Sequence, residues 1–234
     1  MCSSEQKLLK NILIILLLNQ PLLLFAEAIH EVTIEYAGSL GSQATMHFVR
    51  QGQRYAITVY FKAPFTQVNY LSKGSINSNF LKSQQFTDTH YGKIASSAVF
   101  DHARQKIIYG KNGYKKQVRL QGNSYDILSF PWQIALSPHS ILGLIQLITG
   151  RGVYTFYVPK DIVSISHLEY LKTPKGVVTM QVYDLRKISH GKAPMVFGYV
   201  SQFKYLPLFI RFHNHIYDIK LQATHLKIDG QGIF

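Results

Sequence analysis

The stretch RYAITVYFK, residues 54–62, alternates apolar side chains from Tyr55 to Phe61 with mainly polar ones. Because successive side chains of a β-strand point to opposite faces, this period of two predicts a strand with one buried face. The segment 217–224 repeats the pattern. Similar runs predict further strands at 31–37, 43–50, 94–100, 153–158, 162–171, 177–185, 196–204 and 207–213. The chain is therefore expected to contain about ten strands.

Short polar or glycine-containing segments join neighbouring runs at 38–41, 51–53 and 174–176, and Asn112-Gly113 separates two more runs. Asn-Gly favours a type I′ hairpin because both residues tolerate a positive φ. Strands that keep one polar face are typical of an antiparallel sheet, since parallel sheets are covered on both faces. The pattern predicts a single curved antiparallel sheet, an open or partly closed barrel.

Residues 125–149 leave the period of two. We expect two short helices there, the second capped by Ser137 with Pro138 at its first helical position. The second helix would be apolar around most of its circumference, which implies burial on several sides. The predicted fold class is thus mainly β, with the curved sheet packed around two short helices.

The first 28 residues have the pattern of a secretory signal peptide. Lys7 and Lys10 precede a mostly apolar run, residues 12–25, and Ala26-Glu27-Ala28 has the small-x-small pattern of a cleavage site. A retained anchor is the alternative, although the run is shorter than the roughly 20 apolar residues of a membrane-crossing helix. We therefore expect a periplasmic protein whose residues 29–234 form a single β-rich domain.

Cysteine and charge restrict the chemistry of that domain. The only cysteine is Cys2, so residues 29–234 have no disulfide, thiol nucleophile or cysteine metal site. The formal net charge of the chain is +13, which attracts polyanions or simply aids solubility. An exported protein meets anionic lipid and wall polymers, so we expect an anionic membrane surface as a partner and no nucleic acid.

Two segments resemble a known family. DILSFPWQIAL, residues 126–136, is similar to an "Asp-hydrophobic-Leu-Ser" helix motif, and residues 206–228 are similar to a closing "Leu-Pro" hairpin. Over residues 32–228 the chain resembles the bacterial envelope family called domain of unknown function 3108. The resemblance implies a β-rich, partly open barrel and a likeness to periplasmic lipoprotein carriers, whose curved sheet and helices enclose an apolar cavity. It implies no reaction.

The helical region supplies the candidate ligand-binding residues, which are Phe130, Trp132, Ile134, Leu142 and Ile145. These apolar side chains would line a cavity in the hollow of the sheet. The alternative is that they simply fill the core.

A basic cluster around the Asn112-Gly113 turn supplies the candidate membrane contacts, Lys111, Lys115, Lys116 and Arg119. Each such charge contributes about 1 kcal/mol near an anionic leaflet. The alternative is a solvated hairpin whose charges prevent edge pairing.

Metal and catalytic signals are weak. His213 and His215 would share a strand face, with His225 as a third imidazole, but Asn214 is typical of a turn, and we predict no metal or other cofactor. Glu31 and Glu35 lie about 13 Å apart along a strand, too far for a glycosidase carboxylate pair.

Asp126 is expected to cap the first helix rather than to act as a base. No Gly-x-Ser-x-Gly or His-Glu-x-x-His motif occurs. We therefore expect a non-enzymatic envelope protein that binds a lipid or other amphiphile; the alternative is a structural envelope protein with a filled core that binds a protein or glycan partner.

Overall fold

The computed structural model describes residues 29–137, 141–159, 166–189, 195–213 and 218–234. The signal-peptide segment and His215 lie outside the described residues. The described residues form seventeen strands, β1 Glu31–Gly38, β2 Gln43–Gln51, β3 Arg54–Ala63, β4 Thr66–Asn77, β5 Phe80–His90, β6 Lys93–Asp101, β7 Lys106–Lys111, β8 Tyr114–Arg119, β9 Asn123–Asp126, β10 Gly143–Ile148, β11 Val153–Val158, β12 Ser166–Thr173, β13 Gly176–Asp184, β14 Met195–Val200, β15 Leu206–His213, β16 Asp218–Ile228 and β17 Gln231–Gly232. They also form two short helices, α1 Ser129–Leu136 and α2 Leu185–Ile188.

Fourteen strands form one large antiparallel sheet. Its order is β12-β13-β14-β15-β16-β1-β2-β3-β4-β5-β6-β7-β8, with β17 added beside β16. Val32 on β1 pairs with Ile228 on β16, which joins the first and last parts of the sheet. Within the described chain, β8 and β12 each pair on one side only, so the sheet is open. The predicted mainly β, antiparallel architecture is confirmed, and the predicted count of ten strands is wrong.

The missed strands include β4 and β5. Their inward positions carry polar or small residues, among them Ser72, Gly74, Ser83 and Asp88, all buried. Because these residues interrupt the apolar alternation, the period of two was not visible there.

A smaller sheet of three strands lies beside the large one, in the order β11-β10-β9. β9 and β10 are parallel and are joined through α1. The helix predicted after Ser137 is therefore wrong, because residues 143–148 form β10. Its last four residues are all buried, and a strand covered on both faces gives the same continuous apolar run as a buried helix.

Helix α1 packs in the hollow of the large sheet, as predicted. The ring of Trp132 stacks on Phe48 of β2, with centroids 4.2 Å apart and planes 17° from parallel. On the opposite side, the Tyr199 hydroxyl of β14 donates to the Pro131 carbonyl oxygen at 3.2 Å. Helix α1 therefore contacts both β2 and β14, which are far apart in the sheet. Both strands can reach it because their apolar faces point into the hollow.

The hairpin at Asn112-Gly113 forms as expected, with Lys111 paired to Tyr114. Its turn type is not the predicted I′, because only Gly113 of the two central residues has a positive φ, 79°. A type I′ turn needs a positive φ at both. No helix in the described ranges has the length and apolar character required to cross a membrane.

Candidate functional site

An apolar cavity of about 220 Å³ lies between the concave face of the large sheet and the start of α1. Its floor includes Tyr36, Met46 and Leu221, all buried, and its rim includes the half-buried Phe61 and Phe212. The full lining is Tyr36, Ala44, Met46, Val59, Phe61, Tyr70, Ile127, Leu128, Pro131, Met195, Phe197, Ile210, Phe212, Ile219 and Leu221. One water needs only about 10–15 Å³ of such space, so the cavity is much larger than a single water requires. It suits a segment of an acyl chain rather than a whole lipid.

Two phenols are the polar groups of this lining. The Tyr36 hydroxyl donates to the Pro207 carbonyl oxygen at 2.7 Å, and burial raises its pKa. Burial, together with the nearby Asp88 carboxylate, raises the pKa of Tyr70 to about 12. Both phenols therefore stay neutral at physiological pH, and the cavity wall carries no formal charge. Such a wall favours an apolar ligand.

The wall at the helix start is held by a buried polar network around Asp126. One carboxylate oxygen accepts hydrogen bonds from the backbone N–H groups of Leu128 and Ser129, at 2.9 and 3.0 Å. The other accepts one from the Ser72 hydroxyl at 2.7 Å. Asp126 therefore caps the start of α1, as expected, and ties it to β4.

Serine and glutamine side chains extend this network to β5. The hydroxyl oxygens of Ser83 and Ser129 are 2.7 Å apart and hydrogen bonded. The Leu81 N–H donates to the side-chain oxygen of Gln133 at 2.7 Å. Burial raises the pKa of Asp126, while the Ser72, Ser129 and Leu128 hydrogen bonds oppose the rise. Because Asp126, Ser72, Ser83 and Ser129 are all buried, the network positions the helix, and it offers solvent no reactive group.

A second polar cluster lies beside the cavity rim. Asp88 is the cross-strand partner of Tyr70, and its buried carboxylate accepts hydrogen bonds from Ser96 at 3.0 Å and from Arg151 at 3.2 Å. His90 Nε2 is 2.8 Å from the other carboxylate oxygen of Asp88, Oδ1. Oδ1 accepts no hydrogen bond from it, however, because the two groups are not aligned for one. Arg151 thereby fixes the loop after β10 against the sheet.

The five predicted ligand-binding residues do not line this cavity. Phe130, Trp132, Ile134 and Ile145 are buried in the hydrophobic core, as the core-filling alternative expects, and Leu142 is partly exposed. Trp132 lies behind the cavity wall, with its indole N–H 3.2 Å from the sulfur of Met46. The part of the helical region that reaches the cavity is instead Ile127, Leu128 and Pro131.

The four predicted membrane contacts are only partly brought together. Lys111 and Lys116 lie near the β7/β8 turn, and Lys116 Nζ is 5.8 Å from the centre of the Tyr114 ring. Lys115 Nζ donates to the Ser97 hydroxyl and to the Gly110 carbonyl oxygen, at 2.6 and 3.0 Å. Arg119 ends β8 at the opposite edge of the hairpin, paired with Lys106. It therefore does not share the tip.

Two of the three histidines considered as metal ligands, His213 and His225, lie at different levels of the sheet, because His213 on β15 pairs with Asp218 at the start of β16. His225 Nδ1 is 3.4 Å from the Glu35 carboxylate, while His215 lies outside the described residues. No group of three or more histidine, cysteine or acidic residues suited to a metal occurs in the part of the chain that the structure describes. Glu31 contacts His47 at 2.8 Å and is not paired with Glu35.

The sequence contained one signal for the cavity that the residue predictions did not use. Val59, Phe61, Ile219 and Leu221 line it, and all lie on the apolar faces of the two clearest alternating strands. Alternation identifies the inward face, but it does not show where the core leaves a gap.

No family model matches this chain, and no curated protein matches it. A solved structure, the β-barrel-like protein of domain of unknown function DUF1849 from Brucella abortus, aligns with 86% of this chain and 98% of that chain. The identity is 9% and the TM-score 0.46. The resemblance to domain of unknown function 3108 stays a prediction.

Proposed function

We propose that this protein is a non-enzymatic protein of the bacterial periplasm that holds an acyl chain of a lipid or other amphiphile in the cavity between the sheet and α1. The observation that carries the proposal is the uncharged, apolar lining of that cavity, whose rim at Phe61 and Phe212 is half-buried. The polar headgroup would remain outside, because the cavity holds only part of a chain. The periplasmic location rests on the signal-peptide pattern of residues 1–28.

Burial of apolar surface would supply the binding free energy. Each methylene moved from water into an apolar site contributes about 0.8 kcal/mol, which is about a fourfold change in Kd. Affinity should therefore increase by about that factor per methylene until the cavity is filled, and then level off. A series of saturated fatty acids from hexanoate to tetradecanoate tests this directly by calorimetry.

The first experiment is native mass spectrometry with lipid extraction on the protein purified without detergent from an envelope fraction. The proposal predicts an adduct of lipid mass in wild type. Ala44→Phe, which places a ring at the buried cavity wall, should lose the adduct. Ala37→Phe is the matched control, because Ala37 is exposed on the neighbouring strand.

Two results would contradict the proposal. The first is a clean ligand-free mass with no uptake of added phospholipid. The second is a fatty-acid series with no dependence of Kd on chain length, a result that does not depend on how the Ala44 variant folds.

One observation favours the alternative, a structural envelope protein that binds a protein or glycan partner. The edge strand β12 exposes Leu168 and Tyr170, and Val177 of β13 is exposed on the same face. An unpaired edge of this kind can accept an added strand from another chain. Leu168→Ser with Tyr170→Ser should abolish partner binding and leave lipid uptake unchanged. Ala44→Phe should abolish lipid uptake and leave partner binding unchanged.

A further inference from the structure

Four turns of the large sheet lie at one end because consecutive antiparallel hairpins reverse there. They connect β1 to β2, β3 to β4, β5 to β6 and β7 to β8. Each presents a large apolar side chain to solvent: Leu40 is 79% exposed, Phe65 95%, Tyr91 65% and Tyr114 65%. We call this the aromatic end, after Phe65, Tyr91 and Tyr114. Exposed apolar groups of this size in one place mark an interaction surface.

The three aromatic turns form a row. Successive turns are two strands apart, about 10 Å at the usual strand spacing. The Tyr91 hydroxyl donates to the Phe65 carbonyl oxygen at 2.7 Å, which fixes the first two turns to each other. The rings therefore project from a rigid sheet rather than from long loops.

Each aromatic turn also carries an exposed lysine. Lys62 accompanies Phe65, Lys93 accompanies Tyr91, and Lys111 accompanies Tyr114. Among the ion pairs of the described residues, none involves any of these three lysines.

Three of the acidic groups near the same end, among the described residues, are paired with arginines, and the Glu35 carboxylate is 3.4 Å from His225. Asp88 contacts Arg151 at 3.2 Å, and the other two pairs, Asp184 with Arg186 and Asp218 with Arg211, are each 2.6 Å apart. The uncompensated charge at the aromatic end is therefore positive, in line with the +13 of the whole chain. Such a surface is complementary to an anionic one.

The cavity lies near this same end. Ala44 follows the β1/β2 turn by two residues, and Phe61 lies two residues before the end of β3. An occupant entering past the rim would approach between the turns. In the described turns at the opposite end of the sheet, Phe80 and Tyr205 are the exposed large rings. They form no comparable row, because the β4/β5 and β14/β15 turns that carry them are far apart in the strand order.

We propose that the aromatic end docks on an anionic phospholipid bilayer, with Phe65, Tyr91 and Tyr114 in the interfacial layer and the three lysines against lipid phosphates. Aromatic rings and lysines are the residues that favour the membrane–water interface. Docking would place the cavity rim against the bilayer, so that a chain passes between them without crossing water. The transfer step rests on the proposed function, whereas docking itself does not.

Fluorescence quenching at single positions tests the docking. Trp132 is the only native tryptophan, and its indole nitrogen lies 3.2 Å from the sulfur of the cavity residue Met46, so a brominated chain in the cavity would quench it as well. The quenching measured with wild type is therefore subtracted from that of each variant. Phe65→Trp should be quenched by phosphatidylglycerol vesicles with brominated acyl chains, whereas Phe80→Trp at the opposite end should not. Equal quenching at both positions, or none at position 65, would overturn the proposal.

Vesicle sedimentation tests the lysines. Lys62→Gln with Lys93→Gln should weaken binding to phosphatidylglycerol-containing vesicles about 25-fold, at about fivefold per lysine. Lys73→Gln with Lys82→Gln, on exposed positions farther from the aromatic end, should have little effect. A loss that is equal in the two double variants contradicts the assignment.

Ala44→Phe separates the two proposals. If it blocks lipid uptake and still sediments with vesicles, both stand. If wild type takes up no lipid but Phe65→Trp is quenched by the vesicles, the carrier function is wrong and docking is retained. If wild type takes up lipid but Phe65→Trp is not quenched, docking alone is overturned.

Discussion

Replacing Asp126 tests whether the buried network holds α1 against the sheet. Asp126→Ala would leave the N–H groups of Leu128 and Ser129 and the hydroxyl of Ser72 without the acceptor they have at 2.7 to 3.0 Å. Each buried group left unsatisfied costs about 1–3 kcal/mol. The three together predict a loss of about 3–9 kcal/mol, a large share of the 5–15 kcal/mol typical of a folded domain.

Asp126→Asn is the matched variant. The asparagine oxygen can still accept from Leu128 and Ser129, and its amide can donate to the Ser72 hydroxyl, so the expected cost is below about 1.5 kcal/mol. Urea unfolding monitored by Trp132 fluorescence measures both free energies. A cost below about 1 kcal/mol for Asp126→Ala, or equal costs for the two variants, would refute the reasoning.

The same pair of proteins predicts a pH dependence. Burial raises the pKa of Asp126 in the folded state, so the folded protein holds this proton at pH values where the unfolded chain has released it. Wild type should therefore lose stability relative to Asp126→Asn as pH rises from the unfolded value of about 3.9 through the higher folded pKa. A constant difference between the two proteins across that range would contradict the raised pKa.

Two further substitutions test packing and charge. Gly198→Ala would bring its Cβ against the buried Met180 side chain and should cost about 1–3 kcal/mol. Gly232→Ala, with nothing within 4 Å of its Cβ, should stay within about 0.5 kcal/mol; comparable urea midpoints for the two variants would refute this. Arg151→Ala removes the cationic partner of the buried Asp88. It should lower the melting temperature by a few degrees, and by less in high salt, because salt screens the ion pair. An unchanged melting temperature would contradict a stabilising role for that ion pair.

The sequence predicted the strands whose two faces differ. β3 and β16 were identified because their inward residues, such as Ile57 and Leu221, are apolar and their outward residues are mostly polar. The hairpin turns between such strands could also be located, since Gly and Asn favour the backbone conformations of turns. The antiparallel sheet and a helix in its hollow followed from this pattern.

Two physical features hid the rest. β4 and β5 turn Ser72, Ser83 and Asp88 inward, because that part of the hollow receives the polar start of α1 and the Arg151 loop rather than apolar side chains. β10 is buried on both faces, so that its pattern does not distinguish a strand from a helix. Both errors arose from tertiary neighbours that a local pattern does not contain.

The sequence predicted an apolar cavity in the hollow of the sheet but not the residues that line it. Trp132 and Phe130 were expected at a cavity wall, but they pack into the core beside it, while Leu128 and Pro131 of the same segment face the cavity. The position of a gap depends on how side chains from distant strands fill the hollow. The aromatic end was equally invisible, because its members come from four separate turns that only the sheet brings together.

The central claim, that an acyl chain occupies the cavity, is tested most directly by methyl NMR with labelled methionine. Met46 and Met195 line the cavity, whereas Met180 packs against Gly198 elsewhere in the core. Titration with decanoate should shift the methyl signals of Met46 and Met195 and give cross-relaxation to the chain, with Met180 unchanged. Shifts confined to Met180, or no shift at Met46 and Met195 at saturating decanoate, would contradict the account.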